Sequence, residues 1–473
     1  MPLILGATAG TAAAQKNSCR FNPDDDPTLT RSSIGTPTDV NKWTFSAWVK
    51  RGRLDSDNFM MRLYADNSNY TTFGVAGTAV EYDNKVSGSF DGRRLTSAVY
   101  RDPAAWYHYV AVYDSDNVTG DDRMIIYVNG ERITALGSDS DPGSGSASGL
   151  GSGNTITVGI GGATGTGEWG GYMAEVALCD GQAYAASDFG EFDSDSPTIW
   201  KPKDISGLTF GNEGFYLDFA DSADLGNDVS GNGNDFTVAN LAAIDQCTDS
   251  PTNNFCTMNP LQNYYFQGTY SEGNCKVVTS EKAWNSTTLG VTAGKWYWET
   301  NLVARTGGVD YNVGFSGNSP EDTADDGGST NGGYTYYYRV SNGSIWNEGS
   351  TSLTVSTADT GDIIGIALDL DNMAWYASKN GVWQNSGVPT SGGSKTGACG
   401  TPMAVASTLN GVYMPLVTYL DASTTGTFSL NYGNPPYALT SAEADGNGYG
   451  QFEYAPPSGY LAICTKNLGS DGG

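Results

Sequence analysis

Histidine and positive charge are the two features that this sequence has least of. Its 473 residues contain one histidine, His108, and 24 Lys and Arg against 52 Asp and Glu, which gives a formal net charge of −28. A Ser-His-Asp or Cys-His catalyst would have to use His108, which stands in an alternating apolar segment that predicts a packed side chain. Nucleic acid and anionic membranes are bound through clustered Lys and Arg, so neither is an expected partner.

Closely spaced cysteines and long apolar runs are also missing. None of the seven cysteines forms a C-x-x-C pair, which argues against a zinc ribbon or a dithiol redox site. Cys247 and Cys256 flank a polar loop and could form a disulfide in an oxidising compartment, but the odd total favours reduced thiols. No apolar run approaches the ~20 residues of a membrane helix, and the first residues lack the basic start of a signal peptide.

Glycine and aromatic residues, by contrast, are plentiful. The chain has 63 glycines and 12% aromatic residues, a composition that favours short strands joined by glycine turns over helices. Trp43, Phe45, Ala47 and Val49 occupy alternate positions, which predicts a strand with one core face. Residues 106–113 have no strongly polar side and are typical of a central strand. The sequence therefore predicts an all-β protein.

Two Asn-Gly dipeptides between strand-like runs predict β-hairpins. Asn129-Gly130 and Asn380-Gly381 suit the type I′ turn, in which both central residues need positive φ. A polar stretch at 245–260 separates the two and predicts a domain boundary. We therefore expect two jelly-roll-like antiparallel β-sandwich domains with short terminal extensions. The predicted ranges are 1–15 for an N-terminal docking arm, 16–258 and 259–436 for the sandwiches, and 437–473 for a C-terminal extension.

The first half resembles the laminin G-like, concanavalin A-type sandwich. The strand signatures that carry this resemblance, in matching order and spacing, are WTFSAWVK at 43–50, WYHYVAV at 106–112, IYVNG at 126–130 and GYMAEV at 171–176. Residues 215–219, followed by an Asp/Asn/Gly run, resemble the element that usually opens this family. In this sequence residues 215–219 come after the other matching segments. Our hypothesis is that the strand that closes the sandwich is supplied by this later part of the chain, as in a circular permutation.

The second half is similar to SPRY domains, which are also sandwiches. The matching segments are GKWYWE at 294–299, NVGF at 312–315 and GDIIGIALDLDN at 361–372. The two sandwiches in tandem, with FGEF at 189–192 and PSGYLA at 457–462, resemble tail-fibre or structural proteins of tailed bacteriophages.

This resemblance implies a non-enzymatic virion surface protein, a tail fibre or fibre-like adhesin that binds host surface glycan or neighbouring virion proteins. By analogy it would be assembled in the host cytoplasm as a homotrimer. A head decoration or adaptor protein without a ligand is one alternative, and a surface polysaccharide depolymerase is another. Glycosidases similar to laminarinases carry a Glu-x-Asp-x-(x)-Glu strand. The nearest match, Glu191-Phe-Asp193-Ser-Asp195, lacks the last Glu and favours an acidic turn.

Calcium is the one cofactor that the sequence leaves open. Asp221, Asp224, Asp228 and Asp235 fall in a short Gly/Asn-rich run whose oxygens could converge on a hard cation. The spacing is not that of an EF-hand, and Asp and Asn also favour turns for their own backbone hydrogen bonds. Both interpretations remain open at this stage, with the turn favoured.

Aromatic residues of the second half are candidates for carbohydrate binding. Tyr334, Tyr336 and Tyr338 would project from one strand face, with Trp346 and Trp383 nearby in the sequence. Aromatic faces pack well against the C–H face of a sugar. The alternative is that these rings cover the sandwich or a subunit interface.

The first 15 residues predict a docking arm. They carry no charged side chain, unlike the acidic remainder of the chain, and they include Leu3, Ile4 and Leu5. Such an arm could bury these three side chains against a virion component or a sister chain. A frayed terminus is the alternative.

Overall fold

The computed structural model describes residues 16–160, 167–264, 268–280, 283–307, 311–318, 334–419 and 424–471. Within these ranges the chain forms two compact units that divide between Thr252 and Asn253, inside the stretch 245–260. Both units are antiparallel β-sandwiches, which confirms the predicted all-β class. The described helices are α1 (Thr465–Asp471) and short 3-10 turns, and none is long and apolar enough to cross a membrane. The 3-10 turns are Pro23–Asp25, Gly120–Asp122, Ala186–Asp188, Ala243–Asp245, Glu272–Asn274, Gln384–Ser386, Pro389–Ser394 and Val405–Ser407.

The first unit is built from two large sheets and a small ribbon. Its strands are β1 (Ser18–Phe21), β2 (Thr28–Arg31), β3 (Lys42–Arg51), β4 (Asn58–Asp66), β5 (Asn69–Ala76), β6 (Ala79–Val86), β7 (Ser89–Thr96), β8 (Trp106–Asp114), β9 (Met124–Val128), β10 (Glu131–Arg132), β11 (Leu136–Ser140), β12 (Thr155–Val158), β13 (Gly171–Asp180), β14 (Gly190–Phe192), β15 (Trp200–Pro202), β16 (Phe215–Leu217), β17 (Thr237–Ala239) and β18 (Gln246–Cys247). One sheet has the order β10-β9-β8-β3-β13-β1-β18, with β16 also paired to β13. The other has the order β11-β7-β6-β5-β4-β12-β2-β17, and β14 pairs with β15.

The core of the first unit lies between its two large sheets. Trp43, Phe45, Ala47 and Val49 of β3 all belong to it, which confirms the predicted core face. The other face of this sheet is covered by a further apolar layer, so β8 is buried on both sides as its apolar pattern predicts. That layer contains Val110, Val112, Ala177, Cys179, Ala186, Phe189, Ile205 and Phe210.

Residues 215–217, near the end of the first unit, form one of its strands. Strand β16 pairs antiparallel with β13, and Leu217 lies opposite Val176. At the same point β13 shifts register against β3, and Glu175 adopts a φ of 52°. This is a β-bulge, and it bends the strand where its partners change.

The two ends of the first unit lie side by side. Strand β18 pairs antiparallel with β1, with Ser18 opposite Cys247. Just after β18, the buried Asp249 carboxylate accepts hydrogen bonds from Lys50 Nζ at 2.8 Å and from Trp106 Nε1 at 3.0 Å. A buried ion pair of this kind holds the segment that follows β18 against the sheet.

The second unit also consists of two large sheets and a ribbon. Its strands are β19 (Met258–Tyr264), β20 (Thr269–Ser271), β21 (Lys276–Ser280), β22 (Ala283–Thr287), β23 (Lys295–Arg305), β24 (Tyr311–Ser316), β25 (Thr335–Arg339), β26 (Ser344–Asn347), β27 (Ser350–Thr354), β28 (Ile363–Asp369), β29 (Ala374–Lys379), β30 (Val382–Trp383), β31 (Met414–Tyr419), β32 (Thr425–Asn431), β33 (Glu443–Ala444) and β34 (Gln451–Phe452). The sheet orders are β19-β22-β31-β24-β25-β26-β27 and β20-β21-β32-β23-β28-β29-β30, and β33 pairs with β34.

Both predicted hairpins are present with the predicted turn chemistry. Asn129 and Gly130 have φ values of 48° and 85° between β9 and β10. Asn380 and Gly381 have φ values of 48° and 76° between β29 and β30. Positive φ at both central positions is the requirement of the type I′ turn that the Asn-Gly dipeptides indicated.

Residues 437–471 pack into the second unit rather than extend from it. The buried Glu299 carboxylate accepts the backbone N–H groups of Glu453 at 2.9 Å and Tyr454 at 2.8 Å. These bonds tie the late segment to β23, and its apolar residues fill a buried cluster. That cluster consists of Phe255, Tyr297, Ala367, Ala374, Tyr376, Phe452, Tyr460, Ala462 and Cys464. The sequence predicted an extension because this segment lacks strand alternation.

Every cysteine is a free, buried thiol, so the Cys247–Cys256 disulfide weighed above is not formed. Burial raises the pKa of Cys399 and of Cys464 to about 12. The thiolate is the reactive form of cysteine, so these two side chains are poor nucleophiles and poor metal ligands.

Candidate functional site

Strands β4 to β7 of the first unit present polar and aromatic side chains on the face that points away from the core. Residues such as Tyr82 point inward. The alternate positions point outward, and the strand register aligns Arg62, Thr72, Asp83 and Arg93 across the four strands. A parallel row beside it contains Tyr64, Tyr70, Lys85 and Phe90. These two rows, together with Glu81, are called the outer face below.

Cations and aromatic rings alternate on the outer face. The guanidinium carbon of Arg62 lies 3.8 Å from the centroid of the Tyr64 ring and 5.2 Å from that of Tyr70. The ammonium nitrogen of Lys85 lies 5.3 Å from the Tyr70 centroid and 6.0 Å from that of Phe90. The cations hold these aromatic rings in a fixed orientation. Each ring then presents a flat apolar surface, and the N–H groups of the neighbouring cations lie at its edge as hydrogen-bond donors.

Two carboxylates stand beside this row. Glu81 and Asp83 are two residues apart on β6, so they share one face. The Arg93 guanidinium donates to Glu81, and its Nε lies 3.4 Å from Asp83 Oδ1. Burial, and next the neighbouring Glu81 carboxylate, raise the pKa of Asp83 to about 7 against the opposing charge of Arg93. A carboxyl shifted so far on a sheet face marks a candidate functional site.

The outer face is accessible along its rim. Phe90 is 47% exposed, and the Arg93 side chain is 31% exposed. Four members of the face are buried at its floor, namely Arg62, Thr72, Glu81 and Asp83, and Lys85 is half-buried. The arrangement can therefore hold a polar ligand that has a flat apolar side, with rings below it and charged groups at its edges.

His108 is a packed residue, as the sequence predicts. Its ring is fully buried and stacks on Trp48, with centroids 4.7 Å apart. Trp200 Nε1 donates to Nδ1 at 3.0 Å, so the ring proton is on Nε2, which donates to Ser46 Oγ at 2.8 Å. Burial lowers the pKa of His108 to about 3, which keeps the ring neutral. Both ring nitrogens thus have hydrogen-bond partners within the fold.

The tyrosine platform predicted from the sequence is wrong for two of its members. Tyr336 and Tyr338 are buried in the core of the second unit and cannot present a face to a ligand. Tyr334 lies just before β25 with a φ of 73°, and it is half-buried. Trp346 and Trp383 are half-buried but stand on different sheets of the unit. The structure therefore does not bring the five residues onto one surface.

The four aspartates considered for calcium are used by turns instead. Asp221 Oδ1 accepts the N–H of residue 223, and Asp224 Oδ1 accepts the N–H of residue 226, at 2.9 and 3.1 Å. Asp228 accepts four hydrogen bonds from nearby backbone and Ser230, and Asp235 accepts its N–H. Within the described residues no three His, Cys, Asp or Glu side chains are grouped for a metal ion. These four carboxylates take part in turns, which is the alternative that the sequence favoured.

The sequence also predicted a docking arm and an acidic turn. Leu3, Ile4 and Leu5 lie outside the described residues. Asp193 does form a turn, since its Oδ1 accepts the N–H groups of Asp195 and Ser196 at 2.9 and 3.0 Å.

The outer face is not among the sites predicted from the sequence. Its signal was present in Glu81-Tyr-Asp83-Asn-Lys85, where charged residues alternate with a core tyrosine. Glu81 and Asp83 also match the first two acids of the glycosidase strand pattern. Lys85 and Val86 stand where its last Glu would be, so the pattern is incomplete.

A family model supports the fold of the first unit. Residues 24–186 match a laminin G-like model described as the concanavalin A-like lectin/glucanases superfamily. The matched range includes every residue of the outer face. This part of the first unit is therefore similar to concanavalin A-like sandwiches, in agreement with its sequence resemblance. No curated protein matches the chain.

Solved structures are similar to parts of the chain. The SPRY domain of human HERC1 is 18% identical, with a TM-score of 0.29, and the match covers 37% of this chain and 96% of that one. A pentraxin from Limulus polyphemus is 19% identical, with a TM-score of 0.28, over 37% of this chain and 80% of that one. A Bacteroides ovatus protein with a provisional carbohydrate-binding description is 17% identical, with a TM-score of 0.32, over 48% and 60%.

Proposed function

We propose that the protein is a carbohydrate-binding protein that holds glycan on the outer face of its first sandwich. The observation that carries this proposal is the row of rings and cations across β4 to β7. Sugars combine apolar C–H patches with hydroxyl groups, so they suit flat aromatic surfaces edged by hydrogen-bond donors. The matched superfamily includes lectins, which is consistent with this use of the fold.

The proposal predicts that rings of the outer face contribute to glycan affinity. Phe90→Ala removes a ring that is 47% exposed, and Phe192→Ala removes one that is 41% exposed elsewhere on the first unit. On a glycan array, Phe90→Ala and Tyr70→Ala are expected to weaken binding by about tenfold. Phe192→Ala is the matched control and should bind like the unmodified chain. Unchanged binding by both outer-face variants would contradict the proposal.

We extend this proposal to the biological setting. The chain acts as a surface protein of a tailed bacteriophage particle, as a fibre-like homotrimeric adhesin beside other virion proteins. The tandem laminin G-like and SPRY-like segments and their sequence resemblance support this role. Antibody labelling of purified particles in the electron microscope would locate the chain at the tail or the head. Light scattering of the purified chain would show whether it is a trimer.

Polysaccharide depolymerisation is a second candidate function. Glu81 and Asp83 share one face, and the raised pKa of Asp83 suits a proton donor. Arg93 contacts both carboxylates, however, which favours an ion-pair role. Release of reducing ends from polysaccharide, abolished in Glu81→Gln, would establish the enzyme. Binding of polysaccharide without release of reducing ends would support the non-enzymatic function.

A further inference from the structure

We infer that residues 1–15, the arm, pack against the second unit of their own chain, on the outward face of the sheet that contains β22, β31, β24 and β25. This face is called the covered face below. Its members are the outward side chains Trp284, Asn312, Tyr337, Met414, Leu416 and Thr418. The inference concerns how the chain is assembled and does not depend on glycan binding.

The covered face points away from the core of the second unit. Tyr336 and Tyr338 of β25 belong to that core. Side chains alternate along a strand, so Tyr337 points to the opposite side of the sheet. Leu416 of β31 lies on the same side, because it and Tyr337 both pair with Gly314 of β24.

The apolar members of the covered face are nonetheless buried. Trp284, Tyr337, Met414 and Leu416 are only 1–4% exposed. None of the four belongs to the buried apolar clusters that the described residues form. The second face of an antiparallel sheet is ordinarily solvated. Burial outside the clusters therefore means that a further segment of the chain lies over this face.

Three polar side chains of the covered face need hydrogen-bond partners. Trp284 and Asn312 both lie opposite Thr418, on the strands to either side of it. The indole nitrogen of Trp284, both amide atoms of Asn312 and the hydroxyl of Thr418 are buried without a hydrogen-bond partner among the described residues. An unpaired buried polar atom is costly. The main chain of an extended segment has N–H and C=O groups that can pair with all three side chains.

The composition of the arm suits this face. Residues 1–15 and 319–333 are the two longest segments outside the described ranges. Each can cross four strands, which span ~15 Å at a spacing of ~4.8 Å. Residues 319–333 contain four carboxylates and no Leu, Ile, Val, Met or aromatic residue, so their burial against apolar side chains would be unfavourable. The arm carries no charge and has Leu3, Ile4 and Leu5 to bury.

The point where the arm begins favours the second unit of the same chain. Ser18 of β1 pairs with Cys247 of β18, and the second unit starts at Asn253. Because β1 and β18 are antiparallel, the arm and the segment that leads to the second unit leave this ladder at the same end. Fifteen extended residues reach up to ~50 Å. The arm of the same chain is therefore better placed for this face than the arm of a sister chain.

Cross-linking of the full chain tests the inference. Ala7→Cys leaves the large apolar residues of the arm in place, and Ser286→Cys lies beside Leu416 on the outward side of β22. The native cysteines are buried thiols, so a short bismaleimide should join the engineered pair. Docking raises the effective concentration of the two thiols, and the cross-link should form at least about tenfold faster than in the control pair Ala7→Cys with Ser394→Cys. Ser394 is exposed on a turn that follows β30 of the other sheet.

Two changes in the arm assign the cross-link to its apolar residues. Leu3→Asp with Ile4→Asp should reduce the rate to that of the control pair, because these carboxylates would be buried. Leu3→Met with Ile4→Val should preserve the fast cross-link. A monofunctional maleimide should react slowly with Ser286→Cys alone and faster once the two aspartates are present. Thermal melting of each variant checks that both sandwiches are folded.

Three results would overturn the inference. The first is an equal cross-linking rate for the two cysteine pairs, with no protection of Ser286→Cys by the arm. The second is a product that joins two chains, seen as a dimer on a denaturing gel, because the arm would then belong to a sister chain. The third is a fast cross-link that survives the two aspartates, because the apolar residues would then not hold the arm in place.

Discussion

Replacing Asp83 by asparagine should change how the stability of the first sandwich depends on pH. The folded-state pKa of this carboxyl is about 7, above its ordinary value of 3.8. The folded protein therefore holds the proton more tightly than the unfolded chain does. The stability that this proton contributes is fully present below about pH 4 and is lost as the pH rises through about 7. Asparagine cannot ionise, so the variant is not subject to that loss.

The size of the effect follows from the two pKa values. The difference between 3.8 and about 7 corresponds to about 4 kcal/mol, at 1.36 kcal/mol per pH unit. Replacing Asp83 also removes one neighbour of Arg93, but Glu81 remains as its ion-pair partner. The attraction of Arg93 for the ionised Asp83 carboxylate is already contained in the pKa of Asp83, so it is not counted a second time. The free energy of unfolding of the variant, relative to the unmodified chain, should therefore increase by about 4 kcal/mol from pH 4 to pH 8.

Urea unfolding at a series of pH values, followed by tryptophan fluorescence, measures this change. Asp66→Asn is the control, because a backbone N–H of Ser68 holds the pKa of Asp66 below its usual range. The stability due to Asp66 is present above its unfolded pKa and is lost only at lower pH, so this variant should keep a constant difference from about pH 4 to pH 8. If Asp83→Asn also kept a constant difference, the buried carboxyl would not titrate as described, and the reasoning would be refuted.

Three further predictions concern the fold. His108→Ala should lower the free energy of unfolding by about 3 kcal/mol, because it leaves a cavity and an unpaired Trp200 N–H, while glycan-array binding stays unchanged. Gly130→Ala should lower the melting temperature more than Gly77→Ala: a Cβ at Gly130 would lie 2.5 Å from the Trp200 ring, whereas one at Gly77 would meet nothing within 4 Å. Both glycines have positive φ, so the matched pair isolates the steric contact. Removing residues 437–473 should make the second unit sensitive to proteolysis and leave the first unit resistant, since the deletion uncovers an apolar cluster.

The sequence predicted those strands and turns whose conformation is determined by residues close together in the chain. The alternation of Trp43, Phe45 and Val49 identified a core strand because one apolar face is enough to orient it. Asn129-Gly130 identified a turn because few other residues tolerate two successive positive φ values.

The alternation of residues does not indicate which face of a strand is buried when both faces carry aromatic side chains. In β25, Tyr336 and Tyr338 lie on one face and Tyr337 on the other. Either face could form the core by its pattern, and the face predicted to bind a ligand is the buried one. The buried face is decided by residues far away in the sequence, such as Trp375 of the other sheet, which shares a core with Tyr336 and Tyr338.

The outer face depends on register between four strands. Arg62, Asp83 and Arg93 are separated by up to 31 positions in the sequence and meet only because β4 to β7 pair in sequence order. A shift of one residue in any pair would turn one strand's charged residues into the core. The site therefore becomes visible only once the register is known.

The pairing of β1 with β18 determines how the first sandwich would respond to a pulling force. A load applied between Lys16 and the second unit enters at Ser18 and leaves beyond Cys247, which lie opposite each other. Antiparallel strands that are pulled from the same end separate one pair of hydrogen bonds at a time. The pairing of β1 with β18 therefore offers little resistance to the force. The load must first break the contacts of Asp249 with Lys50 and Trp106, which come immediately after β18. Under tension, the contacts of this one buried carboxylate would set the force at which the first unit begins to open.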